Sequence, residues 1–207
     1  MTESSQTANG DITDTSIGTT LITWEPSVEQ MLATWCDEAK CYEWMHTEAF
    51  TYYDKWSRRL VITSNTLIAL SGISNVVAGD VVINDFFKLS WLFGGLSVII
   101  SITNMLQEKL AYAAKSIEHD HHATLWNLIS KKIEEQLLIP PCSRKDCGTF
   151  LKYLKQDLSQ VSMTGNSLIP EEIRMACSEK FGKIENFELP EICGKMEHTR
   201  IYVKPSQ

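Results

Sequence analysis

Apolar positions between residues 28 and 60 recur at alternating spacings of four and three: Val28, Leu32, Trp35, Ala39, Tyr42, His46, Ala49, Tyr53, Trp56 and Leu60. That spacing draws one stripe along a helix, as in a heptad-patterned coiled coil, and His46 is its one polar member. Ser27, with Gln30 three residues on, fits a capping box at the start of this helix. No Gly or Pro intervenes before Gly72, so the helix is predicted to run on to Gly79-Asp80, through an uncharged stretch at 60–79. "DVVINDFF" then reads as a short turn. A second uncharged stretch, 89–107, opens a second long helix, predicted to continue to Pro140-Pro141, where neither residue can donate a helical hydrogen bond.

Each uncharged stretch is about the ~20 residues needed to cross a hydrocarbon core. The alternative is a buried hairpin, but such helices usually keep charges. Lys55, Arg58 and Arg59 precede the first stretch, Lys109 and Lys115 follow the second, and the turn has only Lys88 against Asp80 and Asp85. By the positive-inside rule this predicts a two-span hairpin with both termini cytoplasmic. The expected fold is therefore all-α: a long antiparallel transmembrane hairpin over 24–139, extending into the cytoplasm, and a small helical C-terminal region over 140–207. Residues 1–23, rich in Ser, Thr, Asp and Gly with no basic start, read as a disordered tail and no signal peptide.

In the C-terminal region "TFLKYLKQDLSQV" reads as an amphipathic helix with Thr149 as its cap. "IPEEIRMACSEKFG" reads as another, with Pro170 at its first position and Gly182 as its stop. A net charge of -7 argues against a nucleic-acid binder. Six cysteines are too sparse for a disulfide framework and predict reduced thiols.

The segment "WCDEAKCYEWMH" crowds thiols, aromatics and acids, yet Cys36 and Cys41, like Cys41 and His46, are five apart. Five residues separate side chains by ~140° around a helix, so neither pair shares a metal from one uninterrupted helix. Trp35, Tyr42, His46, Tyr53 and Trp56 are instead predicted to form the packing seam of the hairpin. His46 lies fourteen residues before the first uncharged stretch and His119 about twelve after the second. An antiparallel hairpin at ~1.5 Å per residue brings them to one height, ~20 Å from the expected membrane surface. A buried polar layer of His46, Glu118, His119 and His122, close to Asp120 and His121, is one reading, pH-responsive or zinc-binding. The other is a single hydrogen bond at His46 with the remaining groups solvated.

A small or polar stripe marks the second stretch, at Ser90, Gly94, Ser97, Ser101, Asn104 and Glu108, and a looser one marks the first, at Ser64, Ser71 and Asn75. Such stripes hold helices together, form an oligomer seam or line a pore. Cys142 and Cys147 sit at CxxxxC spacing without a second ligand pair. No Gly-rich phosphate loop, Ser-His-Asp signature or HExxH is present, so no enzyme and no cofactor is expected.

"WCDEAKCYEWMH", the two uncharged stretches, "EHDHHATLWNLISKKIE", "SLIPEEI" and "LPEICG" together make the chain resemble the SLATT group of predicted two-transmembrane effectors. The resemblance covers roughly residues 30 to 200, and the spacing from His119 to Trp126 to Ile133 fits without a gap. It is similar above all to the versions in large double-stranded DNA viruses and their algal or amoebal hosts. The resemblance implies a membrane-embedded homo-oligomer that perturbs or permeabilises a membrane, with no established catalytic site. The partners it implies are a lipid bilayer, further copies of the chain and a sensor protein. An alternative is a structural anchor linking a virion inner membrane to a capsid shell, and a third reading is a soluble helical scaffold.

Overall fold

The computed structural model describes residues 22–77, 82–84, 87–165 and 169–194. The N-terminal tail up to residue 21 and the end of the C-terminal tail lie outside the described residues. Helix α1, Pro26–Val77, opens with Pro26 at its first position, where a missing N–H is tolerated. The Val28 and Glu29 amides bond to the Glu25 carbonyl, so Ser27 lies inside the first turn and is not the cap. At the far end two short strands, β1 (Val82–Asn84) and β2 (Phe87–Lys88), pair antiparallel where a plain turn was expected.

The return path is two helices where the sequence predicts one. Helix α2 covers Leu89–Leu110 and α3 covers Tyr112–Leu138, with Ala111 between them at φ 47°. The ladder survives the break, because Ala111 N–H bonds to Gln107 and Lys115 N–H bonds to Ala111. Left-handed backbone at an alanine costs on the order of 1 kcal/mol, a distortion that no Gly or Pro announces. Helix α3 ends as predicted before Pro140-Pro141, with Ile139 extended as a residue before proline prefers.

Two parts follow from this path. The stem is the first half of α1 lying antiparallel along α3, and the arm is the second half of α1 lying along α2. Helix α4 (Cys147–Gly165) covers α3, presenting Leu151, Leu154 and Val161 at helical spacing. Its first turn is capped by Asp146, whose carboxylate accepts the Thr149 N–H at 2.8 Å; Thr149 is not the cap. Helix α5 (Glu171–Phe181) packs on α1, with Glu171 and Glu172 at its positive end, Pro170 just before it and Gly182 closing it.

The stem core joins Leu32, Cys36 and Ala39 of α1 to Trp126, Ile129 and Ile133 of α3 and to the apolar face of α4. Tyr42 stacks on Trp126 at 4.6 Å and 16°. A second core, on another face of α1, gathers Cys41 and Met45 against Ile169 and Cys177.

Among the described residues no helix is long and apolar enough to cross a membrane. This overturns the two-span hairpin, its membrane localisation and the cytoplasmic assignment of its termini. The uncharged stretches of the arm are interrupted by Thr63, Ser64, Asn65, Thr66 and Ser71 on α1 and by Ser97, Ser101, Thr103 and Asn104 on α2. Freedom from charge alone does not make a span, because hydroxyl and amide groups also favour water.

Candidate functional site

Halfway along the molecule, where stem meets arm, α1 and α3 bring together three histidines. His46 is 0% exposed, His119 2% and His122 4%. His46 Nδ1 and His119 Nδ1 lie 2.9 Å apart, so one ring donates its N–H to the lone pair of the other. The His46 ring centroid is 5.1 Å from that of His119 and 5.2 Å from that of His122. Tyr53, one helical repeat on from His46, lies flat on His119 at 5.3 Å and 9°. Lys115 Nζ sits 5.6 Å from the centre of the Tyr53 ring. His46 Nε2 and His122 Nδ1 are buried and make no hydrogen bond.

Burial sets the electrostatics here. It pushes His46 down to about 3, assisted by His119 and His122, because an imidazolium loses its hydration in this site. It pushes His119 down to about 4, assisted by His122 and Lys115. Burial also lowers His122, partly offset by the Glu118 carboxylate and reinforced by His121. The cluster is a set of neutral rings at physiological pH.

The structure thus brings His46, His119 and His122 together. Glu118 is half-buried and acts on His122, while Asp120 and His121 are exposed. Among the described residues no group of three or more His, Cys, Asp or Glu side chains could hold a metal ion, and the zinc reading is not carried forward. Of the predicted seam, Trp35, Tyr42 and Tyr53 are half-buried, His46 is buried, and Trp56 is exposed beneath the Arg59 guanidinium, 5.5 Å from its ring.

The small-residue stripe divides. Ser64 donates to Asn104 Oδ1 at 2.6 Å, which ties α1 to α2. Gly94, Ser97 and Ser101 face outward, and Ser101 bonds back to the Ser97 carbonyl at 2.9 Å. A shallow groove of about 320 Å³ runs over Ser97, Val98, Ser101, Ile102 and Met105. The side chains of Ser90 and Asn75 lie outside the described residues. The pore assignment required two membrane spans and falls with them.

Two features escaped the sequence reading. Cys177 of α5 lies between Cys41 of α1 and Cys193 of the 3-10 turn Glu191–Cys193. A hydrogen bond with Cys193 lowers Cys177, but one with Cys41 and burial outweigh it and push the thiol up to about 12. Cys193, raised by its bond to Cys177 and by burial, also donates to the Met45 sulfur at 3.8 Å. Cysteines 136 and 16 positions apart carry no local spacing that could reveal such a contact.

The second feature is Arg144, whose side chain is 5% exposed. It donates to Glu29 at 2.5 Å and to the Ile139 and Leu137 carbonyls at 2.7 and 3.3 Å, and it lies over Trp24 at 4.8 Å. One guanidinium therefore satisfies the end of α3 and pins it to the start of α1. Cys142 is exposed and Cys147 buried, so the CxxxxC pair does not meet. Comparison with protein-family models, with curated proteins and with solved structures finds no match.

Proposed function

We propose that this chain is a non-enzymatic assembly protein that self-associates through its arm. The observation that carries this reading is the contrast between the two halves of the molecule. The stem closes around a core and exposes apolar residues such as Ile117, Leu128 and Leu138 singly, whereas the arm has no such core and exposes Ile62, Ile68 and Leu70 of α1 and Val98, Ile99, Ile102, Met105 and Leu106 of α2. Ile62 is 65% exposed and Val98 58%. Contiguous apolar surface of this kind marks an interaction face, whereas scattered single residues do not.

A second copy is the occupant that fits. Two antiparallel helices already tied by Ser64 and Asn104 present apolar residues from both members. Two such arms related by a two-fold axis bury those residues in a four-helix bundle, with the same patch used twice. The outward Gly94, Ser97 and Ser101 permit close approach of the partner's side chains. The resemblance to the SLATT group, which implies a membrane-embedded homo-oligomer, supports the self-association alone.

Cross-linking tests the assignment. In a Cys142→Ser background, Ile102→Cys on the arm is expected to give covalent dimers under mild oxidation. Leu138→Cys, 85% exposed on the stem, is expected to stay monomeric. Equal yields from both positions, or capture of the arm by phospholipid vesicles with no dimer formed, would overturn it.

A further inference from the structure

We propose that the His46, His119 and His122 cluster is an acid-opened latch, which holds α1 to α3 while its rings are neutral and releases them on protonation. Geometry carries this. Two Nδ1 atoms at 2.9 Å have room for one proton between them, so the pair is closed only when one ring offers a lone pair there. Further protons must go to the outer nitrogens. His46 Nε2 is buried and has no acceptor, and His122 Nδ1 is in the same position. A charged ring at either atom would be left without a partner unless water enters, and water enters only if α1 and α3 part.

The surroundings do little to compensate. From α1 the cluster meets Tyr53, with Tyr52 beside it. From α3 it meets Lys115, Glu118 and His121, and Tyr112 at the start of that helix approaches Tyr53 at 5.7 Å. From α5 the Glu172 carboxylate acts on Tyr53. Lys115 opposes a charge on His119, and Glu118 favours one on His122 alone. Position adds the consequence. The cluster sits between the Tyr42–Trp126 stack of the stem and the start of the arm, so its opening frees the arm-proximal half of the hairpin.

The direction with pH follows from linkage. The unfolded chain protonates its histidines near 6.5, whereas the folded chain holds His46 near 3 and His119 near 4. Stability is therefore complete above about pH 6.5 and is lost as pH falls from there towards 4. The upper part of this window, above about pH 5, lies above the range in which most carboxylates titrate.

The test is the melting temperature of the full chain and of His46→Leu between pH 7.5 and 4.5. Near pH 5.5 unfolding of the full chain should take up about two to three protons, and that of the variant about one fewer. Parallel profiles would overturn the latch. Should His46→Leu not fold, histidine 15N NMR on the unaltered chain decides. The buried rings should stay neutral at pH 5.5 and become charged only together with loss of the near-UV signal of the Tyr42–Trp126 stack. Rings that titrate while that signal persists would overturn it.

Discussion

At the scale of single residues, placement within the fold decides which groups are reactive. A thiol reacts as its thiolate and only when reached by solvent. Cys36, Cys41, Cys147 and Cys177 are buried, and Cys193 is held protonated by its neighbours, whereas Cys142 is exposed. Native protein treated with a maleimide should therefore label one thiol rapidly, at Cys142, and the other five only after denaturation. Fast labelling of Cys41 or Cys177 would show that the second core is not closed. His46 illustrates what the sequence could disclose at this scale. Its place on an otherwise apolar stripe marked it as buried, and counting rise per residue placed it opposite His119, which it meets. The partners of Cys177 and Arg144 were not legible, because their contacts depend on how the C-terminal segment folds back, and no periodicity records that.

Elements were legible wherever periodicity and stop signals agreed. The first helix, the stop at Pro140-Pro141 and α5 lie where the pattern placed them, within about two residues, whereas α4 starts two residues before and ends four beyond the expected 149–161. Caps were less legible, since Asp146 and Glu25 take the positions expected of Thr149 and Ser27. The break at Ala111 was invisible because alanine is the strongest helix former and gives no warning. It yields a test whose sign is opposite to the ordinary one. Gly for Ala inside a helix destabilises by roughly 0.5–1 kcal/mol, but at a left-handed position glycine relieves the Cβ clash. Ala111→Gly should leave the melting temperature unchanged or raise it, whereas Ala113→Gly, two residues on in regular α3, should lower it. Equal losses at both positions would mean that the helix is continuous.

At the scale of the whole molecule, the chain combines a closed stem with an open arm. Fold class was legible in the long 3.6-residue periodicity, but the environment of the arm was misread. Absence of charge does not by itself identify a span: Ser64 and Asn104 spend their polar groups on each other, and exposed apolar side chains surround them. The latch and the arm are distinct devices in this arrangement: one governs whether the hairpin stays closed, the other what the closed hairpin meets. The most direct test of the arm is sedimentation velocity on the full chain and on the double variant Ile62→Asp, Ile102→Asp, both at pH 7.5 and over a hundredfold range of concentration. Self-association through the arm predicts a dimer or larger species that the double variant reduces to monomer without lowering the melting temperature of the stem. A monomer at every concentration, or an assembly indifferent to both substitutions, would contradict it.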